Sequence, residues 1–149
     1  MDNKRYFAGS LAVFGVYIAF DYLITRGVLR TAYESEPLRR ILRSSADMAD
    51  KGWIMWAVTL AWSLLFALVY TKGYEARGGV MEGLRYGFWI GLMLAVPMAF
   101  GSFVTYPIPA SVAVQWFVFG TLQTTLCGVA MALVYRGAKP SMIKVGVIT

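Results

Sequence analysis

The stretch YGFWIGLMLAVPMAFGSFVTYPIPASVAVQWFVFGTLQTTLCGVAMALVY, residues 86–135, contains no Lys, Arg, Asp or Glu. These 50 uncharged residues are more than twice what one helix needs to cross a bilayer. Pro107 and Pro109 lie near the midpoint, and proline lacks an amide hydrogen and disfavours helix in the residue before it. The stretch therefore predicts two membrane-spanning helices, over about 82–105 and 110–135, joined by a short turn.

Two further apolar segments precede this stretch. One covers residues 6–25 and is interrupted by Asp21, and the other covers residues 52–71 without a charge. Each has the length of one crossing, since 20 helical residues extend roughly 30 Å. With 58% hydrophobic and 15% charged residues, the chain has little left for an aqueous domain. We predict an all-α integral membrane protein, with four transmembrane helices forming a single domain over residues 1–149.

The basic residues predict the orientation of these helices. Eight of them lie on the side of the two termini and six lie in the loop between the first and second spans. Loops with more Lys and Arg stay in the cytoplasm, so we expect both termini there. Lys4 and Arg5 precede an apolar run as in a signal peptide, but no small-residue cleavage site follows, so we expect an uncleaved anchor. The net charge of +6 is interpreted as anchoring to anionic lipid rather than binding to nucleic acid.

The composition excludes several kinds of site. The chain has no histidine and one cysteine, Cys127, which excludes a histidine-ligated metal or haem, a four-thiolate cluster and an internal disulfide. It also excludes triads that use histidine as the base. The glycines between residues 72 and 85 do not match a phosphate-binding loop. We therefore expect no enzymatic activity, cofactor or metal.

The first loop has the pattern of a short amphipathic, interfacial helix that starts near Pro37. Its apolar residues follow helical spacing, and its basic residues fall largely elsewhere on the wheel: Leu38, Ile41, Leu42 and Met48 against Arg39, Arg40 and Arg43. Two interpretations remain open. The helix lies in the headgroup layer with its arginines on lipid phosphate, or it is a docking surface for a neighbouring subunit.

Small residues recur every four positions along the last two predicted helices: Gly83, Gly87, Gly91, Ala95 and Ala99, then Gly120, Thr124, Gly128 and Ala132. Small residues let helix backbones approach closely where lipid supplies no hydrophobic driving force. The pattern predicts antiparallel packing of the third helix on the fourth, with a partner chain as the alternative. The polar residues of the fourth helix are expected to join helices by hydrogen bonds, with a small polar seam as the alternative: Gln115, Thr121, Gln123, Thr124 and Thr125.

Asp21 is the one formally charged side chain well inside a predicted span. An intramembrane carboxylate is costly unless it is paired or protonated. We expect it to be satisfied by Arg26 or Arg30 and by the hydroxyls of Tyr17 and Thr25, or by a neighbouring chain, and the alternative is a role in proton or ion handling.

Four short motifs resemble those of small four-helix bacterial inner-membrane proteins grouped as domains of unknown function: Asp21-Tyr22, Tyr70–Glu75, Glu82–Gly87 and Tyr106–Pro109. The resemblance implies a bacterial inner-membrane setting and carries no catalytic residue. Our leading hypothesis is a non-catalytic integral subunit or scaffold of a larger membrane complex. Its partners would be membrane lipids and other integral subunits or further copies of the chain. The alternative is a small oligomeric transporter or channel with Asp21 as its coupling carboxylate.

Overall fold

A computed structural model describes residues 2–75 and 79–136 of the chain, with the side chain of Pro37 left out. Of the basic residues counted for the orientation, Arg77, Lys139 and Lys144 lie outside the described part. Within it, the ordered elements are all helical. They are α1 (Asn3–Leu23) with a π-helical turn (Ile24–Val28), α2 (Arg30–Tyr33), α3 (Glu36–Arg39), α4 (Ser45–Asp50), α5 (Gly52–Gly73), α6 (Val80–Thr105) and α7 (Ala110–Tyr135).

Four of these helices are long and apolar enough to cross a membrane. The predicted all-α membrane fold with four spanning helices is therefore confirmed. Three helices are longer than predicted: the first covers Asn3–Val28, the second continues to Gly73 and the third starts at Val80. Counting uncharged residues underestimates a helix whose ends carry polar residues. At the first helix, for example, the Asp2 side chain accepts the Arg5 backbone N–H at 3.3 Å and caps the N-terminus.

The single amphipathic helix predicted for the first loop is replaced by three short helices, α2, α3 and α4. The chain leaves helical conformation after α3, and the Ser44 side chain caps α4 by accepting the Asp47 N–H at 3.2 Å. Leu38 and Met48 therefore do not share one apolar stripe. Leu38 is buried in a small cluster with three residues around the α6–α7 turn, while Met48 is exposed. Ser44 and Asp47 form an N-terminal capping pattern, Ser-x-x-Asp, and a new helix starts there in place of the continuous helix that the periodicity predicted.

The closest packing in the molecule is between α6 and α7, and α7 also packs against α1, which in turn contacts α5. The small residues of α6 face α7 directly. A Cβ placed on Gly87 would lie 2.5 Å from the Thr124 carbonyl oxygen, and one on Gly83 would overlap the Gly128 carbonyl oxygen. Gly91, Ala95 and Ala99 continue the same buried face of α6. The two backbones are therefore in contact, with no space for side chains between them.

The end of the bundle near the termini is filled by aromatic rings. Phe66 and Tyr70 of α5 contact Tyr86 of α6 at centroid separations of 4.8 and 5.2 Å, and Tyr70 also meets Tyr135 of α7 at 6.1 Å. The Tyr86 hydroxyl donates to the Phe66 carbonyl oxygen at 2.7 Å. These rings join α5 to the α6–α7 pair. Towards the other end, a cavity opens between the helices.

The depth of the glycine contacts predicts a graded series of alanine substitutions. Gly87→Ala should lower stability by about 2 kcal/mol or more, because its Cβ would meet backbone atoms that cannot rotate away. Gly91→Ala should cost less, since its Cβ would lie 3.1 Å from the nearest atoms. Gly120→Ala, with its nearest neighbour at 3.5 Å, should be neutral or stabilising by up to about 1 kcal/mol through helix propensity. Thermal melting in one detergent measures the order, and equal melting temperatures for the Gly87 and Gly120 variants would contradict it.

Candidate functional site

A cavity of about 500 Å³ lies between the four long helices, in the half of the bundle away from the termini. We call it the chamber. Residues of every long helix and of the first loop line it: Tyr17, Phe20, Asp21, Ile24, Thr25, Leu29, Tyr33, Trp62, Leu94, Ala95, Met98, Ala99, Trp116, Phe119, Gly120, Gln123 and Thr124. Its wall is mostly aromatic and aliphatic with a few polar groups, as in sites that bind small molecules.

Asp21 lines the chamber, and no ion pair to it exists within the described part of the chain. The predicted pairing with Arg26 or Arg30 is therefore wrong. The Arg26 guanidinium instead lies 5.2 Å from the centre of the Tyr22 ring, and the Arg30 Nε donates to Glu34 at 3.0 Å. Arg26 and Arg30 come five and nine residues after Asp21, which in a helix places them about 140° and 180° around the axis from it.

The polar residues of α7 that were expected to join helices divide into two groups. Gln123 does so, since its Nε2 donates to the Tyr17 carbonyl oxygen of α1 at 3.0 Å. Thr121, Thr124 and Thr125 instead donate to carbonyl oxygens one turn earlier in their own helix. Among the described residues, Gln115 has a buried amide oxygen without a hydrogen-bond partner. Gln123 is therefore the polar residue of α7 that ties the chamber wall together.

A second cavity, of about 1470 Å³, adjoins the chamber on the side of the first loop. We call it the arginine basin, after the four arginines that line it: Arg26, Arg30, Arg39 and Arg43. One acid, Glu34, lies among them. Of the predicted docking residues, Arg39 and Arg43 line the basin, whereas Arg40 lies outside its lining and pairs with Glu36 at 3.2 Å.

Some of the basin's charges are already engaged. Arg30 pairs with Glu34 at 3.0 Å and Arg43 with Asp47 at 2.8 Å, both on the surface. Hydrogen bonds from Lys51 and Arg43 hold the pKa of Asp47 below its usual value, so this acid is ionised at neutral pH. In the described part of the chain, Arg26 and Arg39 form no ion pair. The basin therefore keeps two guanidinium groups without an ion pair and two others in weak, exposed pairs.

The chamber and the basin share three lining residues, Thr25, Tyr33 and Trp116. The Trp116 indole N–H donates to the Tyr33 hydroxyl at 3.2 Å, which holds both rings at the boundary. Burial raises the pKa of Tyr33, so its hydroxyl stays neutral. Sequence reasoning missed both residues, because they are 83 positions apart and neither belongs to a motif.

A different surface lies on the outer side of α1. Ala8, Gly15 and Ala19 are exposed there and Ala12 is partly buried, so that four small residues follow one face of the helix. A Cβ on Gly15 would meet no atom within 4 Å. We call this surface the outer face of α1. Sequence reasoning missed it because these small residues are spaced four, three and four apart and lack the regular four-residue repeat of α6 and α7.

Comparison with models of known protein families, with curated proteins and with solved structures found no match. The resemblance to four-helix bacterial inner-membrane proteins therefore stays a prediction. The residues that the structure describes contain no group of three or more Asp, Glu, Cys or His side chains placed to hold a metal ion.

Proposed function

We propose that the protein is a non-catalytic integral membrane subunit or scaffold that joins a larger membrane assembly through the outer face of α1. The observation that carries this proposal is the contrast between two sets of small residues in one chain. A Cβ on a glycine of the α6 face would meet the backbone of α7, whereas a Cβ on Gly15 of α1 would meet no atom within 4 Å. A second transmembrane helix, from another subunit or another copy, would fill that space.

The apolar character of the outer face does not by itself require a partner, since lipid would cover it equally well. Its shape is the supporting feature. Lipid gains nothing from a groove of alanine and glycine, whereas another helix gains close backbone contact and dispersion energy along several turns. Larger side chains, Leu11 and Tyr22, lie exposed beside the groove and would pack on the sides of an incoming helix.

The assembly prediction uses Gly15→Leu, with Gly101→Leu as the matched control. Both glycines are exposed on long helices, and a Cβ on either would meet nothing within 4 Å. Gly15→Leu should reduce the recovery of the native assembly at least tenfold and leave the melting temperature of the isolated chain unchanged, because it blocks the groove without touching the bundle. Native gels of protein extracted from its own membranes in mild detergent measure the assembly.

The control should keep the assembly intact. A wild-type chain that migrates alone in these gels would contradict the proposal. So would an assembly that survives Gly15→Leu and is lost in the control.

We further propose that the membrane is the bacterial inner membrane, with both termini in the cytoplasm. Four crossings bring the first and last described residues to one end, where the Arg5 side chain donates to the Arg136 carbonyl oxygen. The larger number of basic residues on that side supports the cytoplasmic assignment.

Single cysteines in a Cys127→Ala background test this orientation. Glu75 and Ser111 are suitable positions because both are exposed and lie at opposite ends of the bundle. An impermeant maleimide should label Ser111→Cys in intact cells and Glu75→Cys only after the cells are permeabilised. The reverse pattern would invert the orientation.

A second candidate function, a small oligomeric transporter or channel, is favoured by the position of Asp21. The carboxylate faces a cavity and has no described ion-pair partner, which is the usual environment of a coupling carboxylate rather than of a structural ion pair.

The transport prediction compares Asp21→Asn with Asp21→Glu in liposomes that contain a pH-sensitive dye. If the protein couples flux to protonation, Asn abolishes a wild-type proton flux and Glu, which keeps a titrating group, restores at least part of it. Unchanged melting temperatures would show that both variants fold. A wild-type protein without any flux would rule out proton coupling.

A further inference from the structure

We propose that the chamber and the arginine basin together form a binding site for one anionic phospholipid, with its phosphate among the arginines and an acyl chain in the chamber. The site does not depend on the proposed assembly role. It lies on the side of α1 that carries Tyr17, Asp21 and Ile24, whereas the outer face with Gly15 is on the opposite side of the helix.

The two cavities are adjacent, since Thr25, Tyr33 and Trp116 line both. A ligand seated against these three residues would extend into both. A molecule that fits must be apolar at one end and anionic at the other. Of the components of a membrane, an anionic phospholipid has this form.

The charges of the basin select the headgroup. Arg26 and Arg39 form no ion pair within the described residues, and the Arg30–Glu34 and Arg43–Asp47 pairs are exposed enough to be exchanged for another anion. Guanidinium groups bind phosphate through paired, charge-assisted hydrogen bonds. A zwitterionic headgroup also carries a cation, which the arginines repel. The basin should therefore prefer a lipid with net negative charge.

The chamber selects the tail and the direction of entry. Its wall includes the rings of Phe20, Trp62 and Phe119, which present apolar surface to a hydrocarbon chain. Asp21 lines the chamber but not the basin. The chamber lining offers a phosphate no cation, whereas four arginines line the basin, so the lipid binds with its headgroup outward. A free phosphate ion or an acidic peptide would fill the basin and leave the chamber without an occupant.

The headgroup is tested with the full chain in a neutral detergent, by native mass spectrometry with phosphatidylglycerol and phosphatidylcholine of identical acyl chains. Wild type should retain phosphatidylglycerol at least tenfold more than phosphatidylcholine. The Arg26→Gln/Arg39→Gln double variant should lose this preference. The control, Lys4→Gln/Arg85→Gln, removes the same charge from exposed residues at the other end of the bundle and should keep it. Equal retention of both lipids by wild type, or a preference lost in the control instead, would overturn the proposal.

The position of the chain is tested separately, with Trp53, Trp56 and Trp89 replaced by phenylalanine so that Trp62 and Trp116 of the chamber wall are the remaining fluorophores. Phosphatidylglycerol with brominated acyl chains should quench their fluorescence saturably, at a concentration at least tenfold below that needed for brominated phosphatidylcholine. Excess glycerol phosphate or inorganic phosphate should not reverse the quenching. Full reversal would identify a site for free anions, and equal quenching by both lipids would identify ordinary contact with the bilayer; either result would overturn the proposal. This measurement keeps all four arginines of the basin. It therefore tests whether the lipid occupies the site even if the double variant does not fold.

Discussion

The rest of the structure depends on the direct contact between the backbones of α6 and α7. Within a bilayer, helices gain little from burying apolar side chains, and close approach of two backbones is one of the few ways to gain dispersion energy. Gly83, Gly87 and Gly128 make that approach possible, and a single Cβ at any of them would separate the helices. The short turn with Pro107 and Pro109 brings the two faces together in antiparallel register. The pair then provides the surface against which α1 packs through α7.

The cavities follow from how the remaining helices pack around that pair. Aromatic rings of α5, α6 and α7 fill the end near the termini, where Tyr70, Tyr86 and Tyr135 meet. At the other end, Ala95, Ala99 and Gly120 continue the small-residue faces and leave volume that no described side chain fills. The first loop turns across this end, with Leu38 buried beside Ile108 and Val112. One principle, small residues for close contact, thus produces both the tightest and the most open part of the bundle.

The sequence predicted the parts of the fold that depend on composition and short spacing. The four spans follow from uncharged runs, and the packing faces of α6 and α7 follow from small residues four apart. It could not predict the chamber, whose walls bring together residues as distant as Tyr17 and Gln123. It also failed where local signals compete. Ser44 starts a new helix inside an apparently continuous amphipathic pattern, and Arg26 and Arg30 line the basin rather than the chamber that Asp21 lines. The outer face of α1 has the right residue types, but its exposure is a property of the assembled bundle.

The π-helical turn at Ile24–Val28 also bears on how the chain tolerates changes in length. Such a turn holds one residue more than a regular α-helix would at the same place. Deleting a single residue between 24 and 28 would let α1 continue as a regular helix, and the segments on both sides would keep nearly their present orientation, because five π-helical residues turn through about the same angle as four α-helical residues. The arginines of the first loop would then keep their place around the basin. The same deletion in a regular part of α1 would rotate everything beyond it by about 100° and separate the basin from the chamber, so the π-helical turn is the place in this helix where a change of one residue in length does least harm.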